Sequence, residues 1–204
     1  MADELATPST NSSGIADPAP LGLAGFALTT FLLSAFNAHL TRGGDAWLGY
    51  ALAYGGIAQL LAGMWEYKRN NTFGATAFGS YGAFWIGLFL YVRYAAGGPT
   101  NVSNDLGWIL IAFAIFNLYM LVCAARVNMA VFLVFLALQL TEIVLFIGYL
   151  QLKPTDIANH NSIIHIGGWI GIVTALLAWY ASFAGVKASV GGRLQLPVGR
   201  PMDI

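Results

Sequence analysis

Charge is what this chain has least of. Only 9% of its 204 residues are Asp, Glu, Lys or Arg, against about 25% in a soluble domain. Its nine Lys+Arg and nine Asp+Glu cancel, so no basic patch argues for a nucleic-acid partner. Cys123 is the only cysteine, which excludes an intrachain disulfide framework or a cysteine metal cluster. Residues 1–16 hold Asp3 and Glu4 but no Lys, Arg or apolar core. They do not make a secretory leader and read as a disordered cytosolic tail. Nucleophile elbow, P-loop, Rossmann fingerprint, H-E-x-x-H pair and intramembrane Asp pair are all missing, so neither an enzyme nor a cofactor is expected. No Lys lies deep in the last apolar run, which removes a retinal Schiff base. His39 and His165 fall near apolar-run ends, a placement that does not favour a metal site.

What the chain has in abundance is apolar sequence: 58% hydrophobic residues and a mean hydropathy of +0.69. A membrane helix needs about 20 largely apolar residues. Six such runs occur, approximately Leu21–Leu40, Ala46–Trp65, Ala75–Ala95, Asp105–Ala124, Asn128–Leu150 and Ser162–Gly185. The separators are short and rich in Gly, Pro, Asn and charge, so neighbouring helices run antiparallel. This predicts an all-α membrane protein, with a six-helix domain over 17–185 and a cytosolic C-terminal tail over 186–204.

The first helix has a clear start. Two prolines flank Ala19; Pro20 falls where a helix takes its first residue, and Asp17 is placed to cap it. Lys68, Arg69, Arg126, Lys187, Arg193 and Arg200 fall on one side of the membrane, and Arg42, Arg93 and Lys153 on the other. The positive-inside bias puts both termini in the cytosol, across the cytoplasmic (inner) membrane. Trp47, Trp65, Trp108 and Trp179-Tyr180, near helix ends, read as interfacial anchors. Small residues recur at four-residue spacing: Ala75, Gly79, Ala83 and Gly87; Gly167, Gly171 and Ala175; Ala51, Gly55 and Gly63. Such stripes serve helix packing within a protomer, and their number suggests subunit contacts as well.

Polar side chains in these runs carry the functional signal, because each is costly in lipid unless it faces a cavity or a partner. By 3.6 periodicity Phe26, Thr30, Ser34 and Asn37 share one face of the first helix. Gln59 sits between Gly55 and Gly63, with Glu66 seven residues on. The third helix carries Thr76 and Ser80 beside Tyr81, the fourth Asn117, and the fifth aligns Asn128, Phe135, Gln139 and Glu142. Phe26, Tyr81 and Phe135 each lie six or seven residues into a helix that starts on the cytosolic side, roughly 9–10 Å deep. They form either a hydrophobic constriction in a polar pathway or ordinary aromatic core. Asp17, Asn70-Asn71-Thr72 and Asn128 stand at three helix N-termini on that side, where partial positive charge favours an anion. Without an embedded ring of Arg or Lys, a small monocarboxylate, weakly held or carried protonated, fits best. Glu142 is either a proton carrier or a snorkelling or interface residue bonded to a neighbour such as Gln139.

Three segments resemble one family, the acetate uptake transporters (GPR1/FUN34/yaaH, succinate–acetate permease-like). They are Asp17-Pro18-Ala19-Pro20-Leu21-Gly22-Leu23; Tyr54-Gly55-Gly56-Ile57-Ala58-Gln59 with Gly63 and Glu66-Tyr67-Lys68; and Asn71-Thr72-Phe73-Gly74-Ala75-Thr76-Ala77-Phe78-Gly79-Ser80-Tyr81-Gly82-Ala83-Phe84-Trp85. Ala125-Arg126 and His165 with Gly168-Trp169-Ile170-Gly171 add weaker support. The resemblance implies a six-helix protomer in a homohexamer, each with its own pathway for acetate and sometimes succinate. It implies a constriction at Phe26, Tyr81 and Phe135, with Gln59 and Glu66 on the polar path. Proton-coupled symport is the expected mechanism; a passive anion channel, or a sensor or ammonia-linked export factor, is the alternative. Asp17 stands where the family usually has Asn, Phe135 where Leu is common, and Gln139 and Glu142 where the family is apolar. Asp17 thereby adds a negative charge at an anion entrance formed by residues 17–22 with Asn71 and Thr72.

Overall fold

The structure is a computed structural model that describes residues 14–44, 46–95, 99–152 and 162–203. Among these residues all regular structure is helical. The elements are α1 (Ala19–Asn37), α2 (Ala46–Leu52), a π-helical stretch (Ala53–Ala58), α3 (Gln59–Lys68), α4 (Thr72–Leu90) running into a second π-helical turn (Tyr91–Ala95), α5 (Pro99–Ala124), α6 (Met129–Leu150) and α7 (Ser162–Val190). Because α2, the π stretch and α3 are continuous, these elements make six rods. Five helices are long and apolar enough to cross a membrane. The rod over 46–68 is split by its π stretch into two short α-helices, so neither piece has that length alone.

The rod boundaries depart from the sequence reading where capping chemistry decides them. Helix α1 begins at Ala19, whose N–H is 3.1 Å from Asp17 Oδ1, so Pro20 takes the second helical position. Helix α4 begins at Thr72 rather than Ala75 because Asn71 caps it, its Oδ1 accepting from Gly74 N at 3.1 Å. Tyr81 is therefore nine residues into its helix, deeper than its spacing from Ala75 suggests. Helix α5 starts at Pro99 rather than Asp105; proline, lacking an N–H, suits a first helical turn. Helix α7 continues to Val190, past the expected Gly185.

Residues 191–203 are not simply a tail following the bundle. Val198 O accepts from Ala130 N (2.8 Å), Met202 N donates to Ala125 O (2.8 Å), and Tyr180 hydroxyl donates to Pro197 O (2.7 Å). The segment thus straps the α5–α6 turn, supplying an acceptor to one of the N–H groups a helix start leaves unpaired. The tail expected over 1–16 lies outside the described residues up to position 13, as do Asp45 and residues 96–98 and 153–161.

Helix α1 packs most extensively on α7, α6 lies against α7 and α5, and α3 against α4. Glycine makes two of these approaches possible. A Cβ on Gly63 would lie 2.6 Å from Gly79 N at the α3–α4 crossing, and one on Gly168 or Gly171 would strike the backbone or side chain of Ser34 on α1. Gly87, by contrast, has open space around it and Ala83 is exposed, so among the described residues that end of the α4 stripe is left uncovered. Trp65 and Trp108 are exposed, as anchors should be, but Trp47 is not. It is buried with Ala51, Trp85 and Leu88 in a second apolar cluster, because the helix beginning at Ala46 turns it inward.

Candidate functional site

Tyr81 is the centre of the molecule's main buried cluster. Its ring centroid lies 5.7 Å from Phe26 on α1, 6.5 Å from Phe135 on α6, and 5.7 and 5.4 Å from Phe113 and Phe116 on α5. Edge-to-face angles of 64° and 63° to Phe26 and Phe135 suit the ring quadrupoles. Phe26, Tyr81 and Phe135 are all buried, so the three expected constriction residues meet, with the rings closed on one another.

Two internal voids flank this cluster. The larger, about 50 Å³, is lined on α1 by Phe26, Thr30, Leu33, Ser34 and Asn37 and on α6 by Leu138, Thr141, Glu142 and Leu145; Tyr81, Phe84, Trp85 and Leu110 complete it. These are helical stripes, spaced three or four residues apart. The smaller, about 20 Å³, is lined by Gln59 and by Leu23, Phe78, Val134 and Phe135 among others. Phe26, Tyr81 and Leu138 border both. The aromatic cluster therefore stands between two chambers.

Unpartnered polar atoms gather at the same place. Among the described residues six buried side-chain N or O atoms lack a hydrogen-bond partner: Thr30 Oγ1, Asn37 Nδ2, Gln59 Oε1, Glu66 Oε1, Trp85 Nε1 and Glu142 Oε2. Four belong to residues of the larger chamber and Gln59 to the smaller. Leaving one such group unsatisfied costs about 1–3 kcal/mol, and four of the six belong to residues that line one largely apolar cavity. A cavity that holds one water needs about 10–15 Å³; the larger chamber has room for several, or for a very small organic acid.

Asn117, Gln139, Tyr81 and Glu142 form a connected set beside the cluster, and two further polar pairs lie near it. Asn117 Nδ2 donates to Phe135 O and to Gln139 Oε1, both at 2.9 Å. The Tyr81 hydroxyl lies 3.0 Å from Asn117 Oδ1 and 3.3 Å from Glu142 Oε1. Glu142 thus bonds Tyr81, not Gln139, and among the described residues has no cationic partner. The Tyr149 hydroxyl donates to Asn37 Oδ1 at 3.3 Å, and Thr141 and Thr174 pair at 3.0 Å.

At the end where α1, α4 and α6 start, Glu66 is fully buried; its Oε2 accepts from Asn71 Nδ2 at 2.8 Å. Asp17 pairs with Arg69, so its charge is offset rather than bare. Pro20 O accepts from Ser182 Oγ at 2.7 Å, and Gly22 packs against Phe78, docking the 17–22 segment on α7 and α4. Leu21 and Thr72 are exposed. Asn128 caps α6 through Val131 N (2.9 Å), and Thr76 and Ser80 are half-buried; none of the three lines either chamber.

Trp85, Thr141, Tyr149 and Arg69 are the partners that sequence reasoning did not single out. Trp85 follows Tyr81 by four residues, so it was readable as a member of the same helix face. The Arg69–Asp17 and Tyr149–Asn37 pairs join residues 52 and 112 positions apart, and no local pattern encodes them.

A bundle with several helices of membrane-crossing length and unpartnered polar atoms on residues lining the cavities between them is a multi-pass membrane protein. Comparison with known proteins narrows this class. The chain belongs to the GPR1/FUN34/yaaH family, whose pattern matches residues 4–200. It is 39% identical over 196 residues to acetate permease A of Emericella nidulans, covering 90% of this chain and 65% of the relative. It is 38% identical over 187 residues to the succinate-acetate/proton symporter SatP of Escherichia coli K12, covering 91% of this chain and 96% of the relative. The chain therefore spans slightly under two thirds of the fungal relative and nearly all of the bacterial one. The solved structure of the bacterial acetate channel SatP superposes with a TM-score of 0.80 at 35% identity, over 91% of this chain and 99% of that one.

Proposed function

We propose that this protein carries acetate and similarly small monocarboxylates across the cytoplasmic membrane, with both termini in the cytosol and the 46–68 rod as a sixth span. The observation that carries the reading is the chemistry of the larger chamber. Asn37 Nδ2, Trp85 Nε1 and Thr30 Oγ1 are three buried hydrogen-bond donors without a partner, set among Phe26, Phe84, Leu110, Leu138 and Leu145. Unpartnered donors on residues that line a largely apolar cavity match a carboxylate bearing a short alkyl group. The names of the relatives, an acetate permease and a succinate-acetate/proton symporter, agree with that match.

Glu142 gives the preferred mechanism. Its free Oε2 borders the same chamber, and two carboxylates sharing a desolvated site do not both ionise. A substrate carboxylate there shares a proton with Glu142, so proton and acid move together. Gln59 serves the smaller chamber; Glu66, Asn71 and the 17–22 segment form the cytosolic mouth, and Phe26, Tyr81 and Phe135 are the barrier between the chambers. Passive anion flow is the second reading, favoured by the solved relative being an acetate channel. Homohexamer assembly is proposed from the family resemblance and the open Ala83–Gly87 face of α4.

The test is uptake of labelled acetate by purified protein in liposomes near neutral pH, where the anion already dominates outside. Saturable uptake above protein-free vesicles supports transport, and stimulation by an inward proton gradient supports symport. Uptake indifferent to that gradient means channel flow, and no uptake removes the proposal.

A further inference from the structure

We infer that Asn117 is a positioning residue that turns Tyr81 into a proton-linked hydrogen-bond switch, so that the protonation state of Glu142 is transmitted to the aromatic barrier. The argument is a count of hydrogens. Both N–H groups of the Asn117 amide are used, one by the Phe135 carbonyl and one by Gln139 Oε1, each at 2.9 Å. Exchanging the amide's N and O would set Asn117 oxygen against the Phe135 oxygen, so Asn117 Oδ1 is held toward Tyr81. The Tyr81 hydroxyl then has two oxygens within reach, Asn117 Oδ1 at 3.0 Å and Glu142 Oε1 at 3.3 Å, and only one proton to give.

Two arrangements follow. With Glu142 protonated on Oε1, its O–H donates to the Tyr81 oxygen and Tyr81 donates to Asn117, so both the phenol and Asn117 Oδ1 are served. With Glu142 ionised, Tyr81 donates to the carboxylate and Asn117 Oδ1 loses its donor. The proton itself joins and leaves through the chamber, where Glu142 Oε2 is free, coming from water or from a carboxylic acid. Tyr81 stays neutral throughout and passes on a change of partner rather than a proton. In one state the phenol is held from α5 and in the other from α6, while its ring touches Phe26 and Phe135.

Glu142 has few other influences. No Lys, Arg, Asp or His lines the chamber. Helix α1 presents Thr30, Ser34 and Asn37, α4 presents Tyr81 and Trp85, α5 presents Asn117, and α7 presents Thr174 by way of Thr141. The next titratable group near Tyr81 is Tyr119, exposed on α5.

The inference rests on the proposed role of Tyr81 in the barrier, but its test needs no acetate. Infrared difference spectra of the purified protein in lipid, recorded across pH, follow the Glu142 carboxyl band, assigned by Glu142→Gln. They also follow a tyrosine band, assigned with ring-labelled tyrosine and Tyr81→Phe. In wild type the tyrosine band shifts in step with loss of the carboxyl band, and in Glu142→Gln the shift is lost. In Asn117→Leu the carboxyl band still titrates while the tyrosine shift collapses. If Asn117→Leu does not fold, Gln139→Met, which frees the amide to turn, diminishes the shift. A wild-type tyrosine band that ignores Glu142, a shift unchanged in Asn117→Leu or Gln139→Met, or a Glu142 carboxyl constant across the range overturns the switch. Absence of acetate uptake would overturn the transport reading and leave these spectra unaffected.

Discussion

Replacing Tyr81 with alanine removes the ring that divides the two chambers, and its consequences separate a barrier from a packing residue. The phenol touches Phe26, Phe84, Phe113, Phe116 and Phe135 and reaches Asn117 and Glu142. Truncation of a buried aromatic costs about 3–5 kcal/mol, and Tyr81→Ala should melt well below wild type in detergent. That loss follows from packing alone. The discriminating effect is on flux. Chambers of about 50 and 20 Å³ merge with the space the ring vacates, and the dry segment between them disappears. A barrier lowered by about 1.4 kcal/mol raises a rate about tenfold. Butyrate uptake by Tyr81→Ala should therefore rise about tenfold or more, with acetate rising less, so that size selectivity falls. Tyr81→Phe keeps the ring and should keep the selectivity. The assay is labelled acetate and butyrate uptake side by side in proteoliposomes matched for protein content. An acetate-to-butyrate ratio within twofold of wild type in Tyr81→Ala would show that substrate does not pass between these rings.

Glu142→Gln should flatten the pH dependence of acetate uptake. Ionised Glu142 repels a carboxylate and the neutral amide does not, so the variant keeps at alkaline pH the uptake that wild type loses; identical profiles rule the role out. Asp17→Asn frees the Arg69 cation beside the mouth and should lower the KM for acetate at low salt. The gain should shrink at high salt, since exposed charges are screened, and stability should change by no more than about 1 kcal/mol because the pair is exposed. An unchanged KM leaves Asp17 a structural residue that holds Ala19 N and Arg69. Gly63→Ala places a Cβ 2.6 Å from Gly79 N, where backbone cannot yield as a side chain does; destabilisation of about 1–3 kcal/mol is expected. An unaltered melting temperature would show that α3 and α4 are not so closely apposed.

Much of this arrangement was legible because helices in lipid obey strict patterns. The six apolar runs, the placing of Asn71 and Asn128 at helix starts, and the α1 face of Phe26, Thr30, Ser34 and Asn37 all follow from period and local chemistry. What periodicity could not supply was rotation of one helix against another. It left Trp47 as an anchor, although the rod turns it into a cluster with Trp85. It offered Gln139 as the partner of Glu142, although Asn117 takes Gln139 and Tyr81 takes Glu142. Pro99 read as a breaker because the same residue that ends a helix also starts one. The strap over 191–203 was illegible for a different reason: the groups it offers in its hydrogen bonds to the bundle are the backbone of Pro197, Val198 and Met202, and any sequence has those.

The central claim is that a carboxylate rests among Thr30, Asn37 and Trp85 on its way past the aromatic barrier. Solid-state NMR of the protein in liposomes, with indole-15N tryptophan and carboxyl-13C acetate, measures that contact directly. The account predicts saturable dipolar coupling between the acetate carboxyl carbon and one indole nitrogen, at a separation consistent with a hydrogen bond, and its disappearance in Trp85→Phe. No coupling at saturating acetate, or a coupling that survives Trp85→Phe, would contradict it.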